Sequence, residues 1–147
     1  MKTEEKFAEF LAAQKGVYDE VRSELAAGRK ETHWIWFIFP QMAGLGYSPM
    51  ARKFGIASRE EAERYLDHAE LGARLRECTR LMLSLPGDDI RAILGEPDDL
   101  KFRSCMTLFA EVAPGEGIFA AALEKYFGGK GDAVTKRLLE ESEKERG

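Results

Sequence analysis

The sequence predicts an all-α fold: a single compact domain of about seven or eight helices around a buried central aromatic helix. Through most of the chain, apolar residues recur at the three-to-four spacing of a helix face. Cap residues and glycines bracket those stretches where helices begin and end. The uncharged run Trp34-Ile35-Trp36-Phe37-Ile38-Phe39 is long enough to be a buried strand, yet no second run offers it a convincing partner. A lone strand leaves its backbone groups unpaired, so His33 to Phe39 is assigned to a helix buried nearly all round.

Phe7, Phe10, Leu11, Gln14, Tyr18, Val21 and Leu25 predict one amphipathic first helix ending near Gly28. After the aromatic run, Gly44-Leu45-Gly46-Tyr47 forms a turn, and Ser48-Pro49 reads as an N-cap followed by proline at the first helical position. Ser58 and Glu61 make a capping box that opens a helix bearing Ala62, Tyr65 and Leu66. The period continues through Leu71, Leu75, Cys78, Leu81, Met82 and Leu85 until Pro86-Gly87 stops it. Asp88 caps a short helix closed by Gly95, and Asp98 to Val112 form another, with Phe102, Cys105, Met106 and Phe109 on its apolar arc. Phe119, Leu123, Tyr126 and Phe127 mark a helix closed by Gly128-Gly129. Asp132 caps the last one, whose charged tail from Glu140 to Gly147 is expected to fray.

A chain of 147 residues fits one domain, and no repeat, low-complexity tract or linker divides it. Its formal net charge of −4 opposes general nucleic-acid binding, which needs many phosphate-neutralising cations. Cys78 and Cys105, the two cysteines, make no disulfide framework and suit a reducing cytoplasm. The charged start from Met1 to Lys6 has no secretory apolar stretch, and no segment has the ~20 apolar residues of a membrane span. The histidines and cysteines lie too far apart in sequence for paired metal ligands, so no metal is expected, and no cofactor is implied.

Several blocks carry a family resemblance. They are the run from His33 to Gln41 with Gly44-Leu45-Gly46 and Ser48, and Glu61-Ala62 with Tyr65-Leu66. Further along come His68 with Leu71-Gly72 and Arg74-Leu75, then Lys101 with Ser104 and Met106-Thr107-Leu108-Phe109. Nearly the whole chain, to about Thr135, thus resembles an uncharacterised all-helical bacterial family whose members often bear the label calpastatin. The resemblance implies a compact multihelical fold and no established activity, and nothing in these residues supports the label. Two positions depart from the family pattern: Ala69 stands where proline is usual, and Cys105 where a second serine is usual. The second departure speaks against a nucleophilic role for that cysteine.

The chemistry-bearing candidates have two readings each. Gly44, Gly46 and Ser48, with Arg52 and Lys53 near in sequence, form either an anion site of converging amides or a plain connector. His33 is an acid–base or hydrogen-bonding group, or else a helix-start cap, and His68 is a ligand contact or a dipole partner at a helix junction. Lys101, Arg103, Ser104 and Thr107 lie off the apolar arc, with Leu108 making that side half buried, so Lys101 needs a partner or an anionic ligand. The aromatic run is core, with room for one exposed edge to stack on a ring. Two functions follow. One is a protein, enzyme or not, that binds a small anionic ligand of phosphate or nucleotide type in a pocket bounded by His33, Gln41, Gly44, Gly46, Ser48, His68, Lys101 and Ser104. The other is a non-catalytic interaction domain whose polar residues are structural hydrogen-bonders and whose partner is another protein.

Overall fold

The structure, a computed structural model, describes the backbone of residues 2–146 and the side chains of residues 2–144. Among these residues the fold is all-α, as the periodicity predicts, and its helices share one hydrophobic core. Ten α-helices follow in order: α1 (Thr3–Gln14), α2 (Tyr18–Ala27), α3 (Ile35–Ile38), α4 (Pro49–Phe54), α5 (Arg59–Asp67), α6 (Leu71–Ser84), α7 (Ile90–Leu94), α8 (Asp98–Val112), α9 (Ile118–Phe127) and α10 (Ala133–Arg146). A single 3-10 turn, Pro114–Glu116, precedes α9.

The aromatic run is buried apart from the half-buried Trp36, but its helix is one turn, α3. Beyond it the chain extends, and Met42 pairs in parallel with Ile56: Ile56 N–H donates to Gln41 O and Ala43 N–H to Ile56 O, both at 2.8 Å. Those two bonds satisfy the backbone that a longer α3 would have satisfied internally. The helix buried nearly all round is α8 instead, where Ser104 through Phe109 are all buried. Against it pack α3, α5, α7, α9 and α10. Phe102 meets Phe39 edge-on at 4.8 Å between ring centroids, and Phe109 lies 5.8 Å from Tyr65.

Two other expectations shift. The single first helix is two, because the chain turns at Gly16, whose φ of +83° suits glycine. Gln14 closes α1 by donating to Phe37 O at 2.7 Å and accepting from Arg74 Nη1 at 3.0 Å. Asp89, not Asp88, caps α7, accepting from Ala92 N–H at 3.2 Å. The charged tail from Glu140 is helical through Arg146, with the Arg59 guanidinium paired to Glu143, and Gly147 lies outside the described residues. Only half of the Ser58–Glu61 box forms: Ser58 Oγ accepts Glu61 N–H at 3.1 Å, while the Glu61 carboxylate turns to other donors. That carboxylate takes Lys6 Nζ at 2.5 Å, Thr3 Oγ1 at 2.9 Å and Ala57 N–H at 3.0 Å, while Lys6 also donates to Gly55 O at 2.7 Å. This buried pair binds α1 to the stretch leaving α4, and so fixes one wall of the pocket described next.

Candidate functional site

A cavity of about 360 Å³ lies between the stretch from Trp36 to Ser48, α4, the start of α8 and the start of α10. Its size is at the small end for ligand pockets. Gln41, Gly46, Ser48, Lys101 and Ser104, five of the eight expected site residues, line it together. Trp36, Met42, Leu45, Met50 and Phe54 supply apolar lining, and Asp132 adds a carboxylate.

Lys101 is held by two different forces. Its Nζ stands 4.4 Å from the Trp36 ring centroid, a cation–π distance, and 3.6 Å from Asp98 Oδ1. Asp98 is already bound more closely through Oδ2 to Lys30 Nζ at 2.7 Å. Two ammonium groups therefore share one carboxylate, and Lys101 is the looser and more exposed of the two, its side chain 24% accessible against 6% for Lys30.

Asp132 is positioned from α8. Arg103 donates through Nε to Lys130 O at 2.9 Å and through Nη2 to Gly131 O at 3.2 Å. Thr107 Oγ1 donates to Arg103 O at 2.8 Å and accepts Asp132 N–H at 2.9 Å. Asp132 in turn caps α10, Oδ2 accepting from Thr135 N–H at 2.9 Å and from Thr135 Oγ1 at 2.6 Å. The polar side of α8 thus grips the loop before α10 and sets its acid beside the cavity. Ser104 Oγ donates back to Leu100 O at 3.1 Å, and Ser48 Oγ accepts from Ala51 N–H at 3.1 Å. Gln41 differs from these: its backbone carbonyl joins the Ile56 bridge, but its carboxamide makes no hydrogen bond among the described residues.

Three expected residues are not part of this cavity. His33 is exposed in the turn before α3, where Glu24 rather than the histidine organises the chain. Gly44 serves the turn: its φ is +100°, and an added Cβ would meet Leu138 of α10 at 3.4 Å. His68 ends α5 and starts α6, its Nδ1 accepting from Glu70 N–H at 3.1 Å and Leu71 N–H at 3.2 Å. It borders a separate groove with Phe7, Leu11, Arg64 and Asp67. The cations expected beside the glycine turn also look elsewhere, since Lys53 pairs with Glu9 at 3.2 Å and Arg52 is not among the cavity's lining residues. Asp132, Leu100 and Val134 are among the lining residues that sequence reasoning did not assign. An Asp directly before a helix signals a cap, and no local pattern adds that the same acid faces a pocket.

Burial silences both thiols as nucleophiles: it pushes Cys78 up to about 12 and Cys105 well above the ordinary thiol value. Among the described residues no group of three His, Cys, Asp or Glu side chains is placed to hold a metal, and no helix is long and apolar enough to cross a membrane.

Fold and site together define a small all-helical domain with a mostly apolar cavity, edged by a few polar groups, beside its central helix. The chain belongs to the family described as protein of unknown function (DUF1810), whose model matches residues 4–139. This is the uncharacterised family to which the residue blocks of the aromatic run, α5, α6 and α8 pointed. The fold is similar to the crystal structure of the conserved hypothetical protein Rv1873 from Mycobacterium tuberculosis, with a TM-score of 0.88 and 51% identity over 90% of this chain and 95% of that one. No curated protein matches the chain.

Proposed function

We propose that this protein binds a small anionic molecule with a flat or apolar body, of phosphate or nucleotide type, in the cavity beside α8. One observation carries the reading: residues as far apart in sequence as Trp36, Gln41, Ser48, Lys101 and Ser104 line a single concave space. Its walls pair apolar bulk with few polar groups, the usual make-up of a ligand pocket. The ammonium of Lys101 offers the counter-charge, and Trp36, half buried, offers a ring to stack on.

A thermal-shift screen against mononucleotides, sugar phosphates and dinucleotides tests this reading, followed by the same screen on Lys101→Ala. Asp98 keeps Lys30 in that variant, so the fold is expected to survive. A compound that raises the melting temperature of the wild type and loses at least half of that shift in Lys101→Ala supports the site. Equal shifts in both remove Lys101 from it.

The second reading, a non-catalytic domain that binds another protein, draws on the rim. The large apolar side chains most exposed among the described residues are Tyr47 at 83%, Leu100 at 54% and Val134 at 39%, and all three border this cavity. A screen in which no small molecule stabilises the protein favours this alternative.

A further inference from the structure

The cavity is lined by two side chains of opposite charge, Lys101 and Asp132. From Lys101 to Thr107 the axis of α8 advances about 9 Å. Thr107, six residues along α8 from Lys101, holds the backbone of Asp132 at 2.9 Å, and Lys101, Ser104 and Asp132 all line the cavity. The cation is in surplus, because Lys30 is the closer partner of Asp98. The carboxylate has capacity to spare as well. Both cap bonds from Thr135 fall on Oδ2, whereas Oδ1 accepts nothing among the described residues, and no cation there pairs with Asp132. An ionised carboxylate accepts about four hydrogen bonds, so its second oxygen remains open to a donor.

These two charges exclude simple ligands. A bare anion drawn to Lys101 meets repulsion from Asp132, and a bare cation meets the reverse. Only a ligand with groups complementary to both satisfies the whole site. We propose, resting on the pocket reading above, that the ligand is a nucleoside monophosphate whose base carries an amino group. Its phosphate lies at Lys101, its amino group donates to Asp132 Oδ1, and its body lies against Trp36, Leu45 and Met50. The unpaired carboxamide of Gln41 offers a donor and an acceptor to the ring edge or the ribose. A volume of about 360 Å³ favours a mononucleotide over a dinucleotide.

The decisive probes differ at one ring position. Adenosine 5′-monophosphate carries an amino group where inosine 5′-monophosphate carries an oxo group, which presents an acceptor to the Asp132 carboxylate. Isothermal titration of the wild type is expected to show adenosine monophosphate binding at least about tenfold more tightly. Asp132→Asn keeps a side-chain oxygen for the Thr135 cap, so its melting temperature is expected to stay near wild type. Its carboxamide can donate to the oxo group, so the preference is expected to vanish or reverse. Lys101→Ala is expected to weaken both nucleotides alike. Equal affinity for the two in the wild type, or a preference that survives Asp132→Asn, overturns the dipolar assignment while leaving the pocket reading in place. If neither nucleotide nor ribose 5-phosphate binds the wild type, both fall.

Discussion

Glu24 gathers four donors onto one carboxylate: Glu31 N–H at 2.7 Å, Thr32 N–H at 3.1 Å, Thr32 Oγ1 at 2.6 Å and Trp34 Nε1 at 2.9 Å. Burial works against its charge, but these bonds outweigh burial and hold the carboxyl at about 2, below its ordinary 4.5. A group whose folded value is depressed stabilises the fold fully above its unfolded value, and that contribution drains away as pH falls toward the folded one. Glu24→Gln is therefore expected to lower the unfolding free energy at pH 7 by roughly 1.5–3 kcal/mol. The gap between variant and wild type narrows from pH 4.5 downward and is nearly closed by pH 2. Urea denaturation across that range measures it, and a gap that stays constant to pH 2 rules the account out. Nothing in the sequence around Glu24 marks this role, because its partners come from the next turn and the aromatic run rather than from its own helix.

Between elements, the closest approach is at Gly72 in the first turn of α6. A Cβ built there would lie 2.0 Å from the carbonyl oxygen of Leu66 in α5, a backbone atom that cannot swing aside. Gly72→Ala must prise the two helices apart and is expected to cost about 3 kcal/mol or more. Gly87→Ala, where nothing lies within 4 Å of the new methyl, is expected to stay within about 0.5 kcal/mol of wild type. Paired thermal melts check the contrast, and similar losses in both variants contradict it. Helix boundaries at this scale were largely legible: α8 spans Asp98–Val112 as its period indicates, and α9 ends at the glycine pair. The α1–α2 break was not, because Gln14 and Tyr18 keep helical spacing on either side of a turn centred on Gly16.

For the molecule as a whole, Cys78 and Cys105 report on the core. Both are fully buried, and burial keeps both in the thiol form well above neutral pH. A disulfide reagent at pH 8 is expected to modify neither in the folded protein over minutes, and both together once urea unfolds the chain. Fast modification of either thiol without denaturant contradicts a single closed core. The same core explains how the site is built. α8 buries its apolar arc against α5 and α9, and this turns Lys101 toward Trp36 and Thr107 toward Asp132.

The sequence by itself determined the helical class, most helix ends and the family, and it named five residues that line one cavity. Those features follow from spacing, caps and glycines, which act over a few residues. Only the tertiary structure decided that α3 is a single turn, that His33 and His68 lie apart from the cavity, and that Asp132 lines it. Each of those outcomes depends on contacts between distant parts of the chain: Ile56 on Gln41, Thr107 on Asp132, Lys101 on Trp36. Residues so far apart meet only when the core closes, and no local pattern encodes which of them will face one another across a cavity.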